Sequence, residues 1–247
     1  MCAGPVGGTM GTMPSGELTD VRTALHDQWD RLRSWVTDVV DDDVADAPSV
    51  LAGWTVAELV AHLGRAMEAL AVCAPLPEGT VPLTLGEYLG TYADRAADIA
   101  ETTRKLAAEI SHDPLTEVDV RARAAFAQLD ALGPDDCVVQ ARRGPVLLST
   151  MAMSRVIELV VHADDLARSV PRGSDPVDPG ALRLVADALL EIVVARGGWS
   201  LEVADARRWV RLAAGREPYD VDALADALHP RYTSDGVPDL GRMLPIL

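Results

Sequence analysis

The chain has 247 residues, of which 49% are hydrophobic and 24% charged, a composition typical of a folded globular protein rather than a disordered chain. Its formal net charge of −16 argues against a nucleic-acid-binding protein, because such proteins present basic surfaces to phosphate groups. No apolar run approaches the roughly 20 residues that cross a bilayer, and residues 1–16 lack the basic and apolar parts of a signal peptide. We therefore expect a cytoplasmic protein that binds neither nucleic acid nor membrane.

The first two thirds of the chain carry the apolar period of α-helices. Residues 1–16 are rich in glycine and are expected to form a disordered tail. From residue 17 onward, apolar side chains recur at three- and four-residue steps, which predicts a mainly α fold in which 17–172 form an up-and-down helical bundle. The predicted helices cover 17–40, 55–74, 85–110, 117–132 and 149–170.

Two local patterns sharpen this prediction. Thr55 and Glu58 have the spacing of a capping box, in which each side chain binds the other residue's backbone amide, so the second helix has a well-defined start. Residues 137–148 alternate weakly around Gly144-Pro145, which indicates either an extended loop or a short hairpin.

The segment from Pro171 to Gly180 contains three prolines and two glycines, and this composition predicts a linker and a domain boundary. We expect residues 176–247 to form a small C-terminal domain that is mostly helical or α+β. Its predicted elements are helices over 181–195, 206–213 and 222–228 and a short strand over 199–203. The three cysteines of the chain are widely spaced, which predicts free thiols and no thiolate metal site.

One helix concentrates the polar residues that could carry chemistry. Glu158 and His162 are four residues apart, so they project side by side, and Arg155 and Asp165 extend the same stripe. A divalent metal such as zinc needs a third ligand, for which His62 of the second helix is a candidate. Two histidines and one carboxylate would leave a fourth position open, as in catalytic zinc sites. The same spacing also arises by chance, in which case Asp165 would be a solvated or salt-bridged residue, for instance one paired with Arg168.

Two motifs resemble a known family. The run from Ala52 to Leu63, AGWTVAELVAHL, resembles the P-G-W-T-x-x-x-x-x-x-H-L signature of the mycothiol-dependent maleylpyruvate isomerase family, within the wider DinB-like helical-bundle superfamily. The run from Arg155 to Leu166 is similar to that family's R-x-x-E-x-x-x-H-x-x-D-L helix. The resemblance implies a DinB-like four-helix bundle in which His62, Glu158 and His162 bind a divalent metal, usually zinc.

The resemblance to this family extends more loosely into the C-terminal part. Residues 209–216 are similar to part of the small sterol-carrier-like domain that often follows the bundle, here in a shortened form. Arg216 stands where an arginine of the family reaches the active site. Together with Asp165, which would orient a ligand imidazole or the thiol, it is a predicted catalytic residue.

The family's chemistry defines the expected function. In the family, zinc binds the thiolate of mycothiol, a low-molecular-weight thiol of actinobacteria, and the thiolate attacks an electrophilic small molecule in an isomerisation or an S-transfer. Two other functions stay open from the sequence. The same ligands could support a hydrolase that uses zinc-bound hydroxide, or the bundle could be a non-catalytic ligand-binding protein. The sequence leaves both a monomer and a homodimer open.

Overall fold

The structure is a computed structural model that describes residues 15–92, 95–232 and 236–247. Among these residues, no helix is both long and apolar enough to cross a membrane. The helices are α1 (Ser15–Val39), α2 (Asp42–Ala45), α3 (Val56–Ala71), α4 (Leu85–Gly90), α5 (Ala96–Glu109), α6 (Pro114–Ala131), α7 (Leu148–Ser169), α8 (Pro179–Gly197), α9 (Ala206–Ala213) and α10 (Val221–Ala227). The strands are β1 (Ala74–Pro75), β2 (Val138–Ala141), β3 (Gly144–Leu147), β4 (Leu201–Val203) and β5 (Leu228–Pro230).

Helices α1, α3, α6 and α7 form a bundle, in which α3 packs against both α6 and α7, and α1 packs against α7. Arg33 of α1 donates from Nε to both carboxylate oxygens of Asp119 in α6, at 2.8 and 2.7 Å. This ion pair links α1 to α6. The mainly α fold and the bundle predicted from the apolar period are confirmed. Helix α1 begins at Ser15 rather than at residue 17, and the rest of the predicted tail lies outside the described residues.

The single helix predicted over 85–110 is wrong, since the structure has two helices there, α4 and α5. Helix α4 ends at Gly90, and Thr91 closes it by donating from its hydroxyl to Tyr88 O at 2.7 Å. The next residue, Tyr92, accepts a hydrogen bond on its hydroxyl from Arg155 Nη2 of α7, at 2.6 Å. This contact ties Tyr92 to α7, and α5 then follows a separate path against α3.

The weakly alternating segment after α6 is a hairpin, as one of the two alternatives predicted. Strands β2 and β3 pair antiparallel with Val139 opposite Val146, and β1 adds to the other edge of β2. Both central valines are fully buried, so the hairpin belongs to the core. The turn between the strands presents Arg142 and Arg143 beside α3 and α7.

Residues 171–180 lie against the bundle. Gln28 of α1 donates to Pro176 O at 3.0 Å and accepts from Asp178 N at 2.9 Å, and Asp178 also caps α8, which begins at Pro179. Helix α8 then packs against α1 and α7, and the hydrophobic core runs without a break into α8 and α9. The predicted helix over 206–213 is confirmed, and β4 pairs with β5 in a two-stranded sheet. The domain boundary and the sterol-carrier-like assignment stay predictions.

Candidate metal site

The first turn of α3 fixes the position of His62. Thr55 Oγ1 accepts from Glu58 N at 3.1 Å and Glu58 Oε2 accepts from Thr55 N at 2.8 Å, so the predicted capping box is confirmed. Leu59 and Leu63 are buried on either side of His62, which sets the rotation of α3 about its axis. The imidazole therefore projects into the bundle interior from a rigid helix, and His62 is only 8% exposed.

Helix α7 supplies the other two predicted ligands from its buried central part. Glu158 and His162 are one turn apart, and Ile157, Leu159 and Val160 around them are buried. His162 is 6% exposed, whereas Glu158 is partly exposed toward a cavity. A helix buried on this many sides cannot rotate without disturbing the core, so both side chains are held in place.

Two imidazole nitrogens and one carboxylate oxygen lie close together, from His62, His162 and Glu158. Glu158 Oε2 lies 3.2 Å from His62 Nε2 and 3.3 Å from His162 Nε2, and the three candidate ligand atoms all lie within 4.8 Å of one another. Ligand bonds of about 2.0–2.1 Å in a tetrahedral arrangement place neighbouring ligand atoms about 3.3 Å apart. The donor set of two imidazoles and one carboxylate therefore fits a divalent cation such as zinc.

The outer nitrogen of each imidazole has its own hydrogen-bond partner. His162 Nδ1 lies 3.0 Å from Asp165 Oδ2, and His62 Nδ1 lies 3.4 Å from Thr103 Oγ1 in α5. When the proton of each imidazole is on Nδ1, these oxygens can accept it, and the lone pair of Nε2 is then available to a metal. Thr103 was missed by sequence reasoning, although its place at a core-facing position of α5 was a usable signal, since a fully buried threonine needs a polar partner.

Asp165 and Arg216, the two predicted catalytic residues, are in direct contact. Arg216 Nε donates to Asp165 Oδ1 at 3.1 Å and to Oδ2 at 3.0 Å, and Arg216 Nη1 donates to Ala214 O at 2.9 Å. The alternative in which Asp165 pairs with Arg168 is not what the structure contains, because the Arg168 guanidinium lies near Arg216 O instead. The structure therefore brings all five predicted site residues into one continuous cluster.

The electrostatic environment favours the ionised carboxylates of this cluster. Burial alone would raise the pKa of Glu158, but hydrogen bonds from His162 and His62 hold it well below its ordinary value. The pKa of Asp165 is likewise lowered, because His162 and Arg216 outweigh the effect of burial. Burial lowers the pKa of His62. Burial also acts to lower the pKa of His162, but Asp165 and Glu158 together outweigh it and raise that pKa. A metal at His162 Nε2 would thus displace a proton.

The cluster opens onto a cavity of about 340 Å³. Its wall includes the three candidate ligands and Arg216, and its other lining residues are mainly apolar: Leu51, Trp54, Tyr92, Ala96, Ile99, Ala100, Ile157, Val161 and Leu247. Trp54 is only partly buried and lines this cavity. A mostly apolar cavity with a few convergent polar groups is the common form of a small-molecule site.

Other chemically capable residues lie outside the cluster. His26 stacks on Phe126 with ring centroids 3.9 Å apart, and His112 is exposed. The two described cysteines, Cys73 and Cys137, are free thiols, and burial raises the pKa of both, to about 11 for Cys73. Neither has the lowered pKa of a nucleophilic thiol.

The fold and the site define a helical-bundle protein with a candidate metal centre between two of its long helices. The chain belongs to the mycothiol maleylpyruvate isomerase N-terminal domain family, which matches residues 25–167, so the family predicted from the two motifs is confirmed. Membership also agrees with the prediction of an enzyme.

Two solved structures are similar to the chain at low identity. One is the mycothiol-dependent maleylpyruvate isomerase, with 19% identity and a TM-score of 0.44, and the other is a histidine-to-alanine mutant of that enzyme, with 19% identity and a TM-score of 0.43. Each match covers 92% of this chain and 95% of the other. No curated protein sequence matches the chain.

Proposed function

We propose that this protein is a zinc-dependent isomerase that uses mycothiol to convert maleylpyruvate, or a closely related unsaturated acid, between its cis and trans forms. The observation that carries the proposal is the convergence of two imidazole Nε2 atoms and one carboxylate oxygen on the wall of an open cavity. Membership of the mycothiol maleylpyruvate isomerase family supplies the thiol and the reaction class.

The residues present fit the metal that this reaction requires. His62, Glu158 and His162 would hold it, and Thr103 and Asp165 would keep the two imidazoles in the correct tautomer. A bound zinc ion would act as a Lewis acid that lowers the pKa of a thiol, so that the reactive thiolate exists at neutral pH.

The reaction itself conserves the thiol. The thiolate sulfur adds to one carbon of the double bond, and the electron pair moves to the conjugated carbonyl oxygen as an enolate. Rotation about the resulting single bond follows, and return of the electron pair expels the thiolate and restores the double bond in the other configuration. No proton or redox partner is consumed.

Arg216 is the residue that we propose to stabilise the enolate. Its Nε is held by Asp165 and its Nη1 by Ala214 O, and no hydrogen bond joins Nη2 to a described residue. Because Arg216 also lines the cavity, this remaining donor group can meet an oxyanion there. A donor fixed before the reaction begins stabilises developing charge without a cost of reorganisation. The apolar residues Trp54 and Ile99 of the same wall would limit access of water.

We place the reaction in the cytoplasm. The support is that Cys73 and Cys137 are both free thiols, as is usual in a reducing compartment.

Turnover assays with the purified full-length chain test this function. We expect the zinc-loaded protein to isomerise maleylpyruvate only when mycothiol is added, and a chelator or His62→Ala to abolish the activity. His112→Ala, which changes an exposed histidine, is the matched control and should leave turnover unchanged. Turnover without any thiol would favour the hydroxide-based alternative, and a folded, zinc-loaded protein that is inactive with mycothiol would refute the proposal.

A further inference from the structure

A second cavity lies next to the candidate metal site and has a different character. It measures about 50 Å³, and four of its lining residues are arginines, namely Arg65, Arg142, Arg143 and Arg155. We refer to it as the arginine cleft. It shares His62, Ile99 and Glu158 with the larger cavity. Along α3, the larger cavity extends from His62 toward the N-terminal end, and the arginine cleft extends toward the C-terminal end, at Ala69.

The structure holds these guanidinium groups in place. Arg155 is 3% exposed and donates from Nη1 to Ala66 O at 2.8 Å and from Nη2 to the Tyr92 hydroxyl. Arg143, from the turn between β2 and β3, lies over the ring of the same tyrosine at 3.7 Å from its centroid, a cation–π contact. Arg65 is half-buried on α3.

The positive charge of the arginine cleft is only partly neutralised. Glu68 pairs with Arg142 at 2.8 Å, and Glu158 lies 3.9 Å from Arg155. Among the residues that the structure describes, no carboxylate forms an ion pair with Arg65 or Arg143. The pKa of Arg65 is lowered, first by burial and then by the charge of Arg142, and the nearby carboxylate of Glu68 opposes this shift only in part. Like charges held together at a partly buried place are costly unless an anion joins them.

We propose that the arginine cleft binds a carboxylate group of a small organic acid. The planar fork of a guanidinium matches the two oxygens of a carboxylate, and charge-assisted pairs of this kind are the stronger hydrogen bonds of proteins. The volume exceeds the roughly 30 Å³ that one water occupies in the liquid, so a group of a few atoms fits. The assignment of this carboxylate to the electrophilic substrate rests on the proposed function, whereas the anion site itself does not.

The site makes the charge of the ligand a determinant of specificity. A carboxylate in the arginine cleft lies beside His62 and Glu158, at the border with the cavity where the reaction is proposed. The same arginines would not attract a neutral electrophile. We therefore assign Arg65 and Arg143 to ligand positioning, and expect their loss to raise KM for a carboxylate substrate more than it lowers kcat.

Binding is measured with succinate as the probe, on the full-length chain both as purified and after metal removal with EDTA. The readout is the Nε–Hε NMR signals of the arginines, assigned through Arg65→Ala and Arg143→Ala. We expect saturable shifts at Arg65 and Arg143, binding about tenfold weaker in either variant, and no effect of Arg123→Ala, which changes an exposed arginine. Dimethyl succinate, which has no charge, should produce no shift.

The outcomes separate this inference from the proposed function, because the binding assay needs neither thiol nor zinc. Absence of saturable shifts in the parent protein, or equal shifts with sodium chloride at matched ionic strength, would overturn the site even if both arginine variants failed to fold. Tighter binding of inorganic phosphate than of succinate would overturn the choice of a carboxylate. Succinate binding in a protein without isomerase activity would support the site and count against the proposed function alone.

Discussion

Arg216 and Asp165 join the C-terminal part of the chain to the helix that carries two of the candidate metal ligands. Arg216 Nε donates to both carboxylate oxygens of Asp165, which is fully buried, and Asp165 Oδ2 also lies 3.0 Å from His162 Nδ1. One carboxylate therefore orients a candidate ligand and a cavity-lining guanidinium together. A change at Asp165 should affect both functions of the site.

We predict that Asp165→Asn retains stoichiometric zinc but lowers kcat/KM by about 10- to 100-fold, the usual effect of removing an outer partner of a metal ligand. The amide keeps the shape and one acceptor oxygen for His162, but Arg216 loses its ionic partner. Elemental analysis and steady-state kinetics measure the two effects. Asp164→Asn is the control, because Asp164 binds Arg207 and Arg211 away from the cluster. Asp165→Asn with the parent's activity would remove Asp165 from the mechanism.

We predict that Glu158→Gln weakens zinc binding by more than the roughly 10- to 100-fold that loss of an outer partner costs, because an anionic ligand becomes neutral at constant shape. Competition with a chromophoric chelator measures the affinity, and circular dichroism checks the fold. Glu109→Gln, at an exposed position, should bind zinc as the parent does. If Glu158→Gln also bound zinc with the parent's affinity, the carboxylate would not be a ligand.

The sequence predicts those parts of the site that depend on local spacing. The i, i+4 pair of Glu158 and His162 and the capping box before His62 are local patterns, and the structure places all three side chains together. The separation of α4 from α5 was not predictable in this way. At this point Tyr92 contacts Arg155, a residue 63 positions away, while the apolar period of the sequence continues from α4 into α5.

The partners of Asp165 and His62 illustrate the same limit. Arg216 is 51 residues from Asp165, and Thr103 is 41 residues from His62. The chain has many arginines and threonines, and helix packing decides which of them reaches a given carboxylate or imidazole. A short sequence pattern does not predict how helices pack. The resemblance to a family, not spacing, singled out Arg216.

We predict that Thr103→Val lowers zinc affinity by about 10- to 100-fold, because His62 Nδ1 loses its partner and the imidazole loses its fixed orientation. Valine has nearly the shape of threonine, so the core should stay packed. The matched control is Thr102→Val, whose hydroxyl binds Asp98 O on the same helix. A chelator competition that finds equal affinity in both variants would show that Thr103 does not position His62.

We predict that Cys73 resists alkylation in the native protein. Burial raises the pKa of its thiol to about 11, and the residue is 2% exposed. At pH 8 only about one thiol in a thousand would be the reactive thiolate even if reagent could reach it. Iodoacetamide treatment followed by peptide mass spectrometry should leave Cys73 unmodified in buffer and fully modified in urea. Rapid modification in buffer would contradict the buried position of Cys73.

We predict that Thr55→Ala lowers the free energy of unfolding by about 1 kcal/mol, because the first turn of α3 loses the acceptor for Glu58 N. For a chain of this size the loss corresponds to a Tm lower by about 2–4 °C. Thr55→Ser keeps an acceptor at the cap and should recover most of the stability.

The capping box at the start of α4 provides a second comparison for Thr55→Ala. Thr84 and Glu87 cap α4 in the same way, so Thr84→Ala should cost a similar free energy. Of these two helices, however, only α3 carries a candidate ligand. Added zinc should therefore raise the Tm of Thr84→Ala as much as that of the parent, and the Tm of Thr55→Ala by less. Thermal unfolding with and without zinc measures both effects. Equal zinc-dependent shifts in the two variants would mean that the cap stabilises α3 without helping to position His62.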